Sequence, residues 1–305
     1  MQAIKRFLAS RFIRYAYGKN DRKRDAGQTT PADITRFDNI LYGSDQKLRK
    51  WQLLDVYRPA KEVESDGSLK KLPVIISVHG GSFVYGDKDD YQFYCMRLAQ
   101  YGFAVVNYSY RLAPEARFPS SLEDTEKVFQ FVEDNAEKYG FDCNNVFAAG
   151  DSAGGHLLTM YVTALTNKDF GKNFTFLREK KLTLRGLALN NGKYNLNDDD
   201  PRVKLLLSGL MPEGGTEEEL KIMDAASHVT KDFPPSFVMT CQGDFLKHDS
   251  DMIKTVLDKA GVKNEYHCYG NDEQPLWHVF HLYPKLEEAK QCNDDECRFF
   301  HSLIQ

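Results

Sequence analysis

Residues 150–154 read GDSAG, a serine flanked by glycines in the pattern Gly-X-Ser-X-Gly. The apolar run VFAA precedes this pentapeptide, and the helical stretch GHLLTMYVTAL follows it. A sharp turn between a strand and a helix holds the serine in a strained conformation, and small residues at 150 and 154 avoid clashes there. The N-terminus of the following helix also favours negative charge that develops near the hydroxyl. The pattern therefore predicts that Ser152 is a nucleophile.

A second glycine turn, HGGSF at residues 79–83, directly follows the apolar run PVIISV. An ester carbonyl that is attacked by a serine becomes a tetrahedral oxyanion, and each prepositioned backbone N–H stabilises that charge by about 3 kcal/mol. We predict an oxyanion hole formed by Gly80, Gly81, Ser82 and Ala153. The N–H groups of the last three are the expected donors, and Gly80 supplies conformational freedom.

A serine hydroxyl needs a histidine to accept its proton and a carboxylate to hold that histidine in the right tautomer. In a fold with this motif, the acid and then the histidine follow the serine along the chain. Asp244 lies just after the predicted strand SFVMTC, whereas Asp249 has the position of a helix cap. His278 lies in a loop after the last predicted strand, and His281 lies close to the next helix. We predict Asp244 as the acid and His278 as the base, with the other two as alternatives.

Alternating strands and helices from residue 50 onward predict the scaffold for these side chains. Short unbroken apolar runs such as PVIISV are typical of strands that are buried on both faces of a parallel sheet. Strands are predicted at 51–58, 73–78, 103–108, 146–149, 184–189 and 237–240, and helices near 90–101, 121–139, 153–167, 249–260 and 285–303. The predicted fold class is α/β, with a mostly parallel central sheet covered by helices on both sides.

Two segments do not follow this alternation, namely the first 45 or so residues and the polar stretch from about 195 to 230. We expect both to lie outside the sheet, and Thr216 before three glutamates predicts a helix N-cap. An amphipathic helix is predicted at the N-terminus, where apolar residues recur with helical spacing at Ile4, Phe7, Leu8, Phe12 and Tyr15. We expect this stripe to pack against the protein's own domain rather than on an anionic membrane surface.

Composition limits the expected partners and location. The 305 residues include 40 Lys and Arg and 44 Asp and Glu, a net charge of −4, so nucleic acid is not an expected partner. No run of about 18 apolar residues occurs, so stable membrane insertion is not expected. Cations interrupt the apolar runs of the first 19 residues, which disfavours a secretory signal and predicts a cytoplasmic location. The six cysteines lack the paired spacing of a zinc site, so no metal is expected.

The chain resembles the α/β-hydrolase superfamily, in the branch of hormone-sensitive-lipase-like esterases. The resemblance rests on motifs within residues 73–303, which are HGGSF at 79–83, YRLAPE at 110–115, FPSSLED at 118–124, GDSAGG at 150–155, GDFL at 243–246 and HVF at 278–280. Three residues depart from the usual motifs of this branch. Ser82 replaces a third glycine, Phe245 stands in a loop commonly written DPL, and Val279 replaces the glycine of HGF.

This resemblance implies hydrolysis of acyl esters, with short acyl groups preferred, through a covalent acyl-enzyme and without a cofactor. It also implies a small helical cap, built from residues 1–45 and an insertion at about 195–230, over a catalytic domain of residues 46–305. Arg111, Glu115 and Asp124 are implied to be structural. The substrate is then a small-molecule acyl ester, and the oligomeric state is left open, a homodimer included.

Two other functions are compatible with the same motifs. A binding protein on this fold keeps the serine turn but loses the histidine, whereas this chain retains candidate histidines. A lipase would act on longer acyl chains at an interface, and the N-terminal helix is the feature that supports this alternative. A peptidase is not expected, because related peptidases usually carry an additional large domain.

Overall fold

The computed structural model describes residues 2–197 and 200–305. The described residues form eight strands, which are β1 (Ile34–Leu41), β2 (Leu53–Pro59), β3 (Leu72–Val78), β4 (Ala104–Tyr108), β5 (Phe141–Asp151), β6 (Leu184–Asn190), β7 (Ser236–Cys241) and β8 (Asn264–Tyr269). They make one sheet in the order β1-β2-β4-β3-β5-β6-β7-β8. β2 pairs antiparallel with both β1 and β4, and all other pairs are parallel. The predicted mostly parallel sheet is therefore confirmed.

Ten α-helices accompany the sheet in the described part of the chain. They are α1 (Gln2–Asp25), α2 (Lys88–Ala99), α3 (Ser120–Asp134), α4 (Ala136–Tyr139), α5 (Ala153–Thr166), α6 (Lys168–Gly171), α7 (Pro201–Leu210), α8 (Glu217–Met223), α9 (Lys247–Ala260) and α10 (Glu287–His301). Short 3₁₀ turns occur at Gln46–Leu48, Ala226–His228 and Phe280–Leu282.

Each face of the sheet has its own hydrophobic core. Along β3, Val74 and Ile76 pack with α3, α5 and α9 on one face, and Ile75 packs with α2 and α10 on the other. This alternation follows from the two-residue period of a strand. All three side chains are fully buried, and each such burial stabilises the fold by about 1.5–3 kcal/mol relative to exposure. The core thus holds the carboxyl ends of the parallel strands along one edge.

The strand β1 shows that the expectation for the first 45 residues is wrong in part. Residues 34–41 pair with β2 at the edge of the sheet instead of lying outside it. Ile34 is buried, but the rest of the strand is half-buried or exposed. An edge strand that packs only weakly needs no continuous apolar run. The hydrophobic pattern therefore gave no signal for it.

The expectation that the aromatic stripe of α1 packs inward is also wrong. Phe7, Leu8, Phe12 and Tyr15 are 49%, 59%, 71% and 67% exposed, and the side chain of Ile4 lies outside those described. The helix packs against α2 and α7 with its opposite face, on which Ser10 is buried. The neighbouring loops present carbonyl and hydroxyl groups to this face, so polar side chains suit it better than aromatic ones.

The segment from 195 to 230 contains α7 and α8. Thr216 caps α8 as predicted, because its hydroxyl accepts the N–H of Glu219 at 3.3 Å while the Glu219 carboxylate accepts the N–H of Thr216 at 3.1 Å. Asp198 and Asp199 lie outside the described residues. The assignment of residues 1–45 to a cap is wrong for β1, which belongs to the sheet. For the other residues of 1–45 and for 195–230 it stays a prediction.

Neither a long apolar helix nor a metal-binding cluster occurs in the described ranges. No helix there is long and apolar enough to cross a membrane. No group of three His, Cys, Asp or Glu side chains in these ranges is arranged to hold a metal ion.

Candidate active site

Ser152 lies in the turn between β5 and α5, with φ of +52° and ψ of −118°. Residues other than glycine rarely adopt positive φ, so surrounding contacts must hold this backbone. The Ser152 N–H donates to the carbonyl of Asn190 at 3.1 Å, and the Ser152 carbonyl accepts the N–H of Lys193 at 3.1 Å. The turn therefore has the strained form that the GDSAG motif predicts, and it is fixed to the end of β6.

Close packing of this turn on a neighbouring strand explains its glycines. A Cβ atom at Gly154 would lie 2.1 Å from the carbonyl oxygen of Val78, the last residue of β3. A Cβ atom at Gly150 would lie 2.7 Å from the carbonyl oxygen of Gly154. Backbone atoms in a packed interior cannot move aside easily. The glycines thus bring the loop after β3 next to Ser152.

The loop after β3 has an unusual backbone, because three successive residues have positive φ. Gly81, Ser82 and Phe83 have φ of +106°, +54° and +58°. The carbonyl of Gly81 accepts the N–H groups of Val84 at 3.1 Å and Tyr85 at 2.9 Å, which closes the turn. Among the described residues, no hydrogen bond uses the N–H of Gly81 or Ser82. Both remain available to a bound oxyanion.

The fourth predicted member of the oxyanion hole, Gly80, has a different role from its neighbours. Its N–H donates to the hydroxyl of Tyr91 at 2.9 Å, so it is not a free donor. A Cβ atom at Gly80 would lie 2.7 Å from a carboxylate oxygen of Asp151 and 3.1 Å from the Cβ atom of Ser152. Gly80 therefore gives room to the serine turn. Ala153, the first residue of α5, has an N–H that no other described residue accepts.

Asp244 and His278 come together although they are 34 residues apart in the chain. The Nδ1 atom of His278 lies 2.9 Å from the Oδ1 atom of Asp244, and the Asp244 side chain is fully buried. Asp244 follows β7, and its carboxylate also accepts the N–H of Leu246 at 2.8 Å and a hydrogen bond from the Asn191 amide. A carboxylate held in this way can fix the tautomer and the orientation of an imidazole.

Asp249, the alternative acid, has other partners. Its carboxylate accepts the N–H groups of Tyr194 at 2.8 Å and Asn195 at 2.9 Å. Its second oxygen lies 3.3 Å from the ammonium group of Lys193. Asp249 thus holds the backbone that leads into the segment 195–230. Among the hydrogen bonds of the described residues, none joins Asp249 to His278, whose partner is Asp244.

The alternative base, His281, is enclosed in the core. It is 1% exposed, and its ring packs edge-on against Tyr94 with 5.2 Å between the ring centroids. Burial lowers its pKa to about 3. His281 therefore cannot reach a substrate that enters from solvent, whereas His278 is partly exposed.

His278 lies at the same edge of the sheet as Ser152. Ser152 directly follows β5, and His278 lies in the segment after β8. Burial raises the pKa of Asp151, the residue before the serine, to about 7, and the hydrogen bond from Tyr91 acts in the opposite direction. Within the described residues, no hydrogen bond joins the Ser152 hydroxyl to His278. Such bonds are often long in the absence of substrate. Proton transfer from Ser152 to His278 stays a prediction.

A layer of buried polar groups lies beneath the site. Tyr91 donates from its hydroxyl to Asp151 at 2.8 Å. Glu296 on α10 is fully buried and accepts hydrogen bonds from the Tyr94 hydroxyl at 3.0 Å and the Asn190 amide at 2.9 Å. Burial raises the pKa of Glu296 to about 7. These groups support the ends of β5 and β6, which carry the serine turn.

The helix α1 reaches the loop beside the predicted oxyanion hole through one arginine. Arg14 donates to the carbonyls of Val84 at 2.7 Å and Ala113 at 3.1 Å. The same guanidinium forms a two-pronged ion pair with Glu115, at 2.6 and 2.7 Å. Tyr85, the next residue of this loop, donates to Asp21 of α1 at 2.6 Å. Side chains of α1 therefore hold residues 84–85 in place.

The other two residues implied to be structural pair with each other. Arg111 donates to Asp124 through its backbone N–H at 2.9 Å and through its guanidinium at 2.8 Å. Asp124 is fully buried and also accepts a hydrogen bond from Gln52 at 2.6 Å. This network fixes the loop after β4 to α3.

Several residues of the site could not be found from the sequence. Asn191 binds Asp244 and Tyr91 binds Asp151, yet neither Asn191 nor Tyr91 belongs to a motif that predicts this role. Phe245 has an exposed ring whose centroid lies 4.5 Å from that of His278. Its departure from the usual DPL loop is the one sequence signal that marks it.

Comparison with known proteins agrees with this architecture. Residues 54–257 match the model of the BD-FAE family. An acetyl esterase of Salmonella choleraesuis is 28% identical over 249 residues, which is 75% of this chain and 72% of that protein. A versiconal hemiacetal acetate esterase of Dothistroma septosporum is 26% identical, over 73% of this chain and 71% of that protein.

Solved structures are similar over nearly the whole chain. Esterase B of Lactobacillus rhamnosis has a TM-score of 0.88 with 23% identity, over 98% of this chain and 96% of that one. A hyperthermophilic esterase of the archaeon Pyrobaculum calidifontis has a TM-score of 0.72 with 25% identity, over 96% and 91% of the two chains. These similarities confirm the predicted α/β-hydrolase fold.

Proposed function

The chain belongs to the BD-FAE family and is a carboxylic ester hydrolase of the hormone-sensitive-lipase-like type, and we propose that it cleaves short-chain acyl esters with a Ser-His-Asp triad. In this proposal Ser152 is the nucleophile, His278 is the general base and Asp244 orients the imidazole. The observation that carries it is the 2.9 Å contact between His278 and the buried Asp244, at the strand ends that also hold the strained turn of Ser152.

The proposed reaction begins when the Ser152 hydroxyl oxygen bonds to the ester carbonyl carbon and its proton moves to His278. The carbonyl oxygen becomes an oxyanion, which the N–H groups of Gly81, Ser82 and Ala153 stabilise. The C–O bond to the alcohol breaks, and the alcohol takes the proton from His278. In the second half of the reaction, His278 takes a proton from a water molecule, whose oxygen bonds to the acyl carbonyl carbon. The bond from that carbon to the Ser152 oxygen then breaks, the serine takes the proton from His278, and the acid is released.

The relatives support a short acyl group. The Salmonella protein is named an acetyl esterase and the Dothistroma protein an acetate esterase. Ser82 in place of a third glycine keeps the N–H donor but narrows the space beside the acyl group. A preference for acetyl to about hexanoyl esters follows. The cytoplasmic location stays a prediction.

The test is hydrolysis of p-nitrophenyl esters from acetyl to palmitoyl by the wild type and by Ser152→Ala. We expect a maximum at short chains and loss of at least about 10⁴-fold in kcat for the variant, because the nucleophile is absent. Ser68→Ala, which removes an exposed hydroxyl in the loop before the amino end of β3, is the matched control and should keep wild-type kcat.

Each outcome of this test has a definite meaning. Wild-type turnover by Ser152→Ala would contradict the mechanism. A maximum at palmitoyl, with activity that rises above the solubility limit of the ester, would identify the lipase alternative. Absence of turnover for every ester in the wild type would favour the binding-protein alternative.

A further inference from the structure

The helix α1 has two faces of opposite chemistry. Its inner face makes the polar contacts of Arg14 and Asp21 with the loop at 84–85. Its other side, here called the outer face of α1, consists of exposed residues, which are Phe7, Leu8, Arg11, Phe12, Tyr15, Lys19, Arg22 and Lys23. The first half of this face is mainly aromatic and the second half is cationic.

Five of the eight residues of the outer face follow one helical row, and the other three flank it. Leu8, Phe12 and Tyr15 have the spacing i, i+4 and i+7, and Lys19 and Arg22 continue it at i+11 and i+14. Such spacing puts side chains on one side of a helix. The outer face is therefore a continuous strip rather than a set of scattered side chains. A contiguous exposed apolar patch with a polar rim commonly marks an interaction site.

The charge of α1 is opposite to that of the remaining chain. The helix contains eight Lys and Arg and two Asp, a net charge of +6. The other residues contain 32 Lys and Arg against 42 Asp and Glu, a net charge of −10. Both aspartates of α1, Asp21 and Asp25, bind Arg24, which is buried. They therefore leave the cations of the outer face largely uncompensated.

We propose that the outer face of α1 binds the surface of anionic phospholipid bilayers. In such a bilayer, phosphate groups lie directly above the hydrocarbon boundary, so one flat surface can receive both the aromatic side chains and the cations. A second copy of this chain is a poorer partner. In a symmetric pair with the two α1 helices parallel, the cationic half of one copy would meet the cationic half of the other. With the helices antiparallel, each aromatic half would meet a cationic half instead of an apolar surface.

The test is co-sedimentation of the full chain with large unilamellar vesicles at 0.1 M salt. We expect binding to vesicles of phosphatidylglycerol and phosphatidylcholine at a ratio of about 3 to 7, and at least about tenfold weaker binding to pure phosphatidylcholine. Raising the salt to about 1 M should release the protein, because the Debye length falls from about 10 Å to about 3 Å.

Two variants separate the apolar and the cationic halves. Phe12→Ser removes an exposed aromatic ring, and Lys19→Glu combined with Arg22→Glu reverses two charges. We expect at least about fivefold weaker binding for the first and about tenfold or more for the second. Val63→Ser and Lys259→Glu change an exposed apolar residue and an exposed cation outside α1, so they should bind like the wild type.

The far-ultraviolet circular dichroism and the unfolding midpoint of each variant identify loss of binding that results from misfolding. Equal binding to both kinds of vesicle, or binding that both α1 variants retain, would overturn the proposal. So would a wild-type dimer in sedimentation equilibrium that Phe12→Ser converts to a monomer. That result would assign the outer face to a second copy of the chain.

Discussion

The loops at the carboxyl ends of the strands are held by different kinds of contact from α1 and the segment 195–230, which are here called the covering segments because a cap is predicted there. In the loops, backbone packs on backbone, as where the turn at Gly154 meets the end of β3. In the covering segments, single side chains reach across, as Arg14 does to the carbonyls of Val84 and Ala113. Asp244 and Asp249 differ in another way, because the first contacts the side chain of His278 and the second binds the backbone entering 195–230.

This difference indicates how each region responds to change. A contact between two backbones has no flexible part, so a single added methyl group disturbs it. A contact made by one long side chain can be lost while the elements on either side keep their structure. We therefore expect large effects from substitutions in the loops and smaller ones from substitutions in the covering segments.

The largest effect is expected from the two aspartates. Asp244→Asn should lower kcat for p-nitrophenyl acetate by about 10⁴-fold, because the amide no longer holds the productive tautomer of His278. Asp249→Asn should keep kcat within about tenfold but lower the free energy of unfolding by about 1–3 kcal/mol, because it weakens buried hydrogen bonds. Steady-state kinetics and urea unfolding measure the two quantities. The opposite ranking in kcat would move the acid to Asp249.

The next effect compares a glycine in each region. Gly154→Ala should lower the free energy of unfolding by about 1–3 kcal/mol, because the new methyl group meets the carbonyl of Val78. Gly209→Ala in α7 is the matched variant. Its nearest atom would be 3.7 Å away, so it should stabilise the helix by about 0.5–1 kcal/mol. Equal effects in urea unfolding would remove the distinction between the two regions.

A pH-dependent effect is expected from the buried Glu296. Its pKa is about 7 in the folded protein, against 4.5 for the ordinary side chain, because burial disfavours the charge. Below about pH 7 the folded state therefore holds a proton that the unfolded state has lost, and the contribution of Glu296 to stability falls as the pH rises from about 4.5 to 7.

The side chain of the variant Glu296→Gln stays neutral. Between pH 5.5 and 8, the free energy of unfolding of this variant should therefore decrease by about 1–2 kcal/mol less than that of the wild type. Urea unfolding at both values measures this difference, and the comparison cancels any loss that does not depend on pH. Parallel curves for the two proteins would mean that Glu296 does not titrate in this range.

The smallest effect is expected where α1 holds the loop next to the proposed oxyanion hole. Arg14→Gln should lower kcat/KM by about fivefold, because residues 84–85 lose their anchor and the N–H groups of the adjoining loop are less well oriented. Arg185→Gln is the control, since that arginine also donates to a backbone carbonyl but lies near the amino end of β6. If both variants had equal kcat/KM, α1 would have no positioning role.

The sequence predicts most of the features that the backbone geometry requires, such as the two glycine turns of the site. The turns at 79–83 and 150–154 carry glycines because neighbouring backbone leaves no room for a side chain, and such a requirement is visible in the residue types themselves. Asp244 and His278 were identified from their positions after strands, and they now lie in contact. Their catalytic roles stay predictions.

The covering segments were less predictable, because their structure depends on what they meet. The amphipathic pattern of α1 predicts the helix correctly, but the orientation of the helix depends on the carbonyl groups of a loop 70 residues away. β1 was missed because an edge strand needs little apolar surface. Gly80 is predicted to supply conformational freedom to the oxyanion hole rather than a donor, and the position of Tyr91 reveals where its N–H is bound.

The order of the reactive groups along the chain has a consequence for biosynthesis. Ser152 follows β5, whereas its predicted base follows β8, the last strand to leave the ribosome. Chains fold from the N-terminus as they are made, and contacts between remote residues form late. With the proposed triad, Ser152 lacks its base until β8 and the loop that carries His278 have joined the sheet, so we expect chains that end before His278 not to hydrolyse esters.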